Sequence, residues 1–210
     1  NNPQWGMVGP VTNEVGNEQA IWTSGKNSTD ILNEGQEWVR HADGSHIPSK
    51  QLSFFCSALT RETWSKVGGL DENFGLGYYE DTDYCIRVSQ MGLRMALLED
   101  VFIYHLGRAS FGKAPKKVKK LMRQNKNKLQ QKYKFPLELI HKRDANLSCL
   151  RYYLQEAAKC PANSLKSLSY RFENRFRLGE NEMPRGLFKR WFYKRRLKSV
   201  GELWKAKTVE

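Results

Sequence analysis

The sequence predicts an α/β layer followed by a mainly helical, strongly basic extension. Three observations carry this expectation. Over residues 1–112, apolar runs of strand length alternate with helix-like segments, the order of an α/β layer whose functional loops lie at strand ends. Beyond residue 112, apolar residues return at helical spacing among lysines and arginines. Charge divides at the same place. Residues 1–112 hold 8 Lys and Arg against 14 Asp and Glu, and residues 113–210 hold 27 against 8, so the net charge of +13 joins a half at −6 to a half at +19. We therefore expect two parts, 1–112 and 113–210, the second facing something anionic.

Along the first part, "WGMVGPV" is an apolar run closed by Pro10, read as a strand leading into the loop "TNEVGNEQ". Residues 18–50 are mostly polar, with a short helix expected at "NEGQEWVRHA". "LSFFCSALT" reads as a buried strand by its length and aromatic content. "RETWSKVGG" reads as a short helix stopped by Gly68 and Gly69. A helix follows over about 81–91, ended by Gly92, and then two short strands, "RMALL" and "VFIYHLG".

In the second part, Val118, Leu121, Met122, Leu129 and Tyr133 share one helical face, and Lys116, Lys117, Lys119, Lys120 and Arg123 cover the rest. "DANLSCLRYYLQEAAKC" predicts another helix with Asp144 as its cap. "SLKSLSYRFENRFRL" and "PRGLFKRWFYKRRLKSVGELWKAK" complete the set, the last starting at Pro184 in the favoured first-turn position.

No run of eighteen apolar residues is present to form a membrane-spanning helix. The polar start has no secretion-signal pattern, so a cytoplasmic protein is expected. Cys56, Cys85, Cys149 and Cys160 lack C-x-x-C spacing and are expected as buried thiols rather than disulfides or zinc ligands.

The stretch "GGLDENFGLGYYEDTDYCIRVSQMG" places Glu80, Asp81 and Asp83 between a glycine-rich loop and a helix start. First-turn acids answer unpaired amides and the positive end of the dipole, but three acids beside two tyrosines exceed that need. A carboxylate fixed at such a place suits a general base on a sugar hydroxyl, with Tyr78 and Tyr79 offering rings to a sugar face. On residue types alone, capping and catalysis stand side by side.

The segments "VGPVTNEVGN" and "FFCSALTRETWSKVGGLDENFGLGYYEDTDYCIRVSQMGLRMALLEDVFIYHLGRASF" resemble the C-terminal half of bacterial family 2 glycosyltransferases, which have a GT-A type fold. Five elements occur in the family's order: a strand ending in Gly-Pro, an apolar strand with its helix, Gly-Gly-x-Asp-Glu-x-Phe, Glu-Asp-x-Asp, and a His after a strand. The likeness covers roughly residues 6–112, and "LMRQNKNKLQQKYKF" resembles the Asn and Lys-Trp/Tyr helix that follows in such enzymes.

The resemblance implies a partial GT-A layer and inverting transfer of a sugar, from a nucleoside diphosphate donor to a hydroxyl of a bacterial glycan or lipid-linked acceptor. Asp81 would be the general base. Glu80 and Asp83 would orient the acceptor or the loop, the other reading of Asp83 being a helix cap. Tyr79 would stack on the acceptor, and Asn13 would face the site from the Gly-Pro loop. His105, 24 residues after Asp81, matches a family ligand of Mn2+ or Mg2+; the other reading is a strand-end histidine bonded to backbone. Asp71 and Glu72 would shape the loop, and Gly75 and Gly77 would let it fold over substrate. The family's nucleotide-binding half, with its own Asp-x-Asp, has no counterpart here, so the remaining metal ligands are expected elsewhere and the chain is expected to be an inactive piece of a larger enzyme. A half-sheet would expose an edge to a second copy or to the missing half.

For the basic helices three partners compete. They are the α/β layer itself, an anionic membrane surface on the inner face met by Leu187, Phe188, Trp191, Phe192 and Leu203, and nucleic acid, disfavoured because no nucleic-acid motif accompanies the charge. From a different class, the chain would be a non-catalytic glycan-binding or scaffolding module.

Overall fold

The computed structural model describes residues 5–107, 115–134 and 141–208. The chain is α/β, with a small mixed sheet of four strands and, among the described residues, seven α-helices. The expected boundary near residue 112 lies outside the described residues.

β1 (Trp5–Val11) leads through a folded-back loop to α1 (Ser28–Arg40) and then β2 (His46–Ser49). α1 starts earlier than its apolar periodicity suggests, because the Asn27 side chain accepts from the Asp30 amide at 2.9 Å and caps it. Its Trp38 is fully buried and donates its indole N–H to the Glu99 carbonyl at 2.8 Å. Gly35 allows this close packing, since a Cβ there would sit 2.1 Å from the Phe102 ring.

β3 is only Ala58–Leu59, so most of "LSFFCSALT" is not strand. Its amides are claimed by side chains instead of a ladder. Leu52 N–H donates to the Cys85 sulfur at 3.3 Å, Ser53 N–H to Gln19 Oε1 at 2.7 Å, and the Phe54 amide bonds to Asp81. α2 (Arg61–Val67) is capped by Thr60 and stopped at Gly68, whose φ is +80°. A 3-10 turn (Glu72–Phe74) and α3 (Glu80–Gln90) follow, and Gly92 at φ +72° turns the chain into the next strand.

That strand, β4 (Arg94–Phe102), is one continuous element where two were expected. β2 pairs across the Leu98 position and Ser45 accepts from the Glu99 amide at 3.0 Å, which carries the strand through the acidic pair Glu99–Asp100. The sheet order is β2-β4-β1-β3. The central pair β1/β4 is parallel, with Met7 opposite Met95 and Gly9 opposite Leu97, and both outer strands are antiparallel. The edge expected to invite a second copy is short on both sides, four residues including Pro48 in β2 and two in β3, features that blunt edge pairing.

The remaining helices are α4 (Pro115–Tyr133), α5 (Lys142–Ala157), α6 (Ala162–Asn181) and α7 (Leu187–Thr208). His141, not Asp144, caps α5, its Nδ1 accepting from Arg143 N–H at 3.2 Å. α7 starts at Leu187 rather than Pro184, and the Gly186 carbonyl accepts its first helical bond, from Arg190. α5, α6 and α7 close one hydrophobic cluster with the sheet, joining Val11, Ile21, Trp38 and Leu97 to Leu150, Tyr153, Phe172 and Trp204. A second cluster joins α3 to Met7, Leu52 and Met95.

A buried ionic group ties these layers together. The Glu99 carboxylate on β4 takes the Tyr153 hydroxyl and the Arg171 guanidinium (2.5 Å), with Arg175 at 3.6 Å. Arg175 has no exposed surface and also donates to the Glu18 and Ala20 carbonyls at 2.8 and 3.1 Å. This group joins α5 and α6 to β4, and removing one partner would leave the others buried without a counter-charge.

Candidate active site

The parallel strands β1 and β4 end side by side, and the carboxyl ends of parallel strands are where α/β sheets carry their ligand crevices. Just past them Asn13 and His105 meet. The Asn13 amide donates to the His105 carbonyl at 3.0 Å and its oxygen accepts from the His105 N–H at 2.8 Å. Both ends of the Asn13 side chain are therefore engaged, which makes it a clamp on His105. The His105 ring lies 2.6 Å from the Glu14 carbonyl through Nδ1 and stacks on Phe55 at 5.1 Å. A carbonyl can only accept, so Nδ1 carries a proton, and in the neutral ring Nε2 carries the lone pair. This is the backbone-bonded histidine expected at a strand end, and equally the tautomer in which a histidine binds a cation through Nε2.

The acids stand at the start of α3, beyond a constrained turn. Gly75 (φ +66°) and Gly77 (φ +130°) adopt positive φ without cost, but Tyr78 (φ +66°) and Tyr79 (φ +75°) adopt it too. Each such non-glycine residue costs on the order of 1–3 kcal/mol and persists only where its surroundings over-determine it. Here α4 does so. The buried Asn125 side chain donates to the Phe74, Gly77 and Tyr78 carbonyls at 2.7, 2.8 and 3.0 Å, and Lys128 donates to the Asn73 carbonyl at 2.6 Å.

The three acids differ in what surrounds them. Asp83 has no exposed surface. Its carboxylate accepts from Arg87 Nε at 2.9 Å and the Tyr133 hydroxyl at 2.7 Å, with Lys132 at 2.6 Å. Arg87 continues to the Val67 and Gly69 carbonyls. Of the roles expected for Asp83, this placement fits orienting the loop; no surface is left for touching a substrate. Lys132 also reaches Asp71 at 2.7 Å. Burial opposes its charge, but the two carboxylates outweigh burial and lift the ammonium pKa, and the Lys132 bond holds the Asp71 carboxyl below its usual range.

Asp81 is different. Its Oδ1 accepts from the Thr82 amide at 2.7 Å and the Thr82 hydroxyl at 3.3 Å. Burial is the larger influence and raises its pKa above the ordinary 3.8, against those hydrogen bonds and the one from the Phe54 amide. Glu80 is raised from 4.5, first by burial and further by the neighbouring Asp81 charge. One buried Glu80 carboxylate oxygen has no hydrogen-bond partner among the described residues. Tyr79, half-buried, is likewise raised by burial and by Asp81. The loop residues Phe54 and Phe55 link the two ends of the site, the first bonding Asp81 through its amide and the second stacking on His105.

Two features escaped sequence reading. The loop-holding role of α4 through Asn125, Lys128 and Lys132 was not read, although the segment resembled the Asn and Lys-Trp/Tyr helix and its asparagine is in register with Leu121 and Leu129. A buried polar network of Asn17, Gln19 and Ser53 beneath the β1 loop carried no motif at all. Among the described residues, no group of three or more His, Cys, Asp and Glu converges as a metal site, and no helix is long and apolar enough to cross a membrane. No family model matches the chain, and no curated protein matches it.

Proposed function

We propose that the chain is the acceptor-binding half of an inverting, family 2 glycosyltransferase of GT-A type, acting on a hydroxyl of a bacterial glycan. The observation that carries this reading is Asp81. A general base works best when its pKa approaches the operating pH and its position is fixed. Asp81 has an upward-shifted carboxyl, is anchored by Thr82 and Phe54, and follows a strained turn that α4 holds in place.

In this reading Asp81 removes the proton from the acceptor hydroxyl as that oxygen attacks the anomeric carbon of the donor, and the nucleoside diphosphate leaves from the opposite face. Glu80, partly exposed as a residue, orients the acceptor or the loop, and Tyr79 stands beside it as a stacking surface. His105 offers Nε2 to a Mn2+ or Mg2+ ion, which when bound would neutralise the diphosphate leaving group. Donor binding and the remaining cation ligands are assigned to a segment other than these 210 residues.

The test is Asp81→Asn in the enzyme that joins this chain to a donor-binding segment. Transfer should fall by at least ~10²-fold with acceptor affinity nearly kept. Near-unchanged turnover would reduce Asp81 to a first-turn acid. Glycan binding by the chain without transfer in any donor-supplied assembly would favour the non-catalytic module.

A further inference from the structure

α7 is apolar on two opposite faces. Tyr193, Leu197, Val200 and Trp204 recur at helical spacing and are buried, with Trp204 stacked on Phe172 of α6 at 4.1 Å. One such stripe suffices to dock a helix on its own protein. The 3.6-residue turn places Phe188, Trp191, Phe192 and Leu203 on the other side, and with Leu187 they are between 52% and 88% exposed. Exposed apolar surface this concentrated marks an interaction site.

The charge around it is one-sided. α7 contains eight Lys and Arg and a single acid, Glu202. Arg195 lies over the Trp191 ring at 5.7 Å and Arg196 over the Phe192 ring at 5.9 Å, so cations flank the aromatic face. Beside it, a groove of about 530 Å³ between α5 and α7 is lined by Leu154, Phe192 and Leu203 together with Arg151, Arg195 and Arg196. Arg196 is already paired with Asp144 at 2.6 Å, so apolar side chains beside the Arg151 and Arg195 guanidiniums fit an occupant with an acyl part and an anionic oxygen group.

We propose that this face docks the chain on an anionic phospholipid surface, with lipid phosphates seated between Arg151 and Arg195 and the α7 aromatics set into the headgroup boundary. Charge complementarity selects this occupant. A second copy would bring one strongly positive face against another, and a nucleic acid would match the cations but leave Leu187, Phe188 and Leu203 in water. A bilayer carrying anionic headgroups satisfies both halves of the pattern. The proposal does not depend on glycosyl transfer, and either can fail alone.

The experiment is co-sedimentation of the 210-residue chain with phosphatidylcholine vesicles, with and without phosphatidylglycerol. The chain should pellet only with the anionic vesicles, and less so at high salt. Trp191→Ser combined with Phe192→Ser should abolish pelleting. Arg151→Gln combined with Arg195→Gln should weaken it by about 30-fold, with urea unfolding and circular dichroism showing both variants folded. Indifference to phosphatidylglycerol, or equal pelleting of both variants and the parent, would overturn the proposal. So would a salt-stable dimer in sedimentation velocity that Trp191→Ser dissociates, or RNA binding that outcompetes the vesicles.

Discussion

Asp81 and Asp83 lie two residues apart on one helical turn, yet the protein treats them in opposite ways. Asp83 is sealed from solvent and met by Arg87, Lys132 and Tyr133. Asp81 is met by neutral donors and desolvated, so that its proton is held more tightly than usual. Glu99 and Glu80 repeat the contrast, the first enclosed by Arg171, Arg175 and Tyr153 and the second keeping a buried oxygen unpaired. A carboxylate whose charge is fully answered holds structure, whereas one whose charge is left costly is available for chemistry. Residue type does not separate the two; the partners do.

The comparison breaks most easily at Glu99. Glu99→Ala would leave Arg171 and Arg175 buried without a counter-charge, and the loss should be about 3–5 kcal/mol in urea unfolding, a large share of a domain's stability. A loss under ~1 kcal/mol would mean that the cluster is not the clasp described here. At α3 the same substitution should give opposite signs. Asp83→Asn should destabilise by about 2–3 kcal/mol, the scale of hydrogen bonds to charged groups.

Asp81→Asn should instead raise the melting temperature at neutral pH. The sign follows from linkage. Because the folded carboxyl binds its proton more tightly than the unfolded one, the folded state holds more protons between pH 3.8 and the raised native pKa, and stability falls as pH rises through that window. The variant lacks this loss, so the gap between the two proteins should close below pH 3.8. A melting temperature lowered by Asp81→Asn would place Asp81 with Asp83.

Asn125→Ala removes the amide shared by three loop carbonyls and should cost about 1–3 kcal/mol. Hydrogen exchange should speed at residues 75–80 and stay unchanged in α6. The smallest effect concerns thiols. Burial pushes Cys85 and Cys149 up to about 12, so in the native state maleimide should label the half-exposed Cys56 and Cys160 first. Early labelling of Cys149 would indicate that α5 opens readily from the sheet.

Much of the scaffold was legible because local rules fixed it. The strand at Trp5–Val11, the helix stops at Gly68 and Gly92, and the helical face of α4, apart from the exposed Met122, follow from apolar spacing and from glycines that turn at positive φ. "LSFFCSALT" misled for the converse reason. Its composition suits a strand, but its amides are taken by Cys85, Gln19 and Asp81, contacts that exist only in three dimensions. The acid trio was visible as a cluster. Its division into a fully paired Asp83 and a desolvated Asp81 was not, since Asp83 is answered by Lys132 and Tyr133, some fifty residues away. Glu99 gave no signal inside an apolar run, and Arg171 and Arg175 resembled the solvated cations around them until burial set them apart.

The most direct measurement is a carbon-detected NMR titration of the Asp side-chain carboxyls in the 210-residue chain, with Asp81→Asn used to assign the resonance. The expected result is an Asp81 carboxyl titrating clearly above 3.8, in the direction a general base requires. An Asp81 titrating at or below 3.8 would show a carboxylate stabilised as a helix-start acid, and would contradict the division between Asp81 and Asp83.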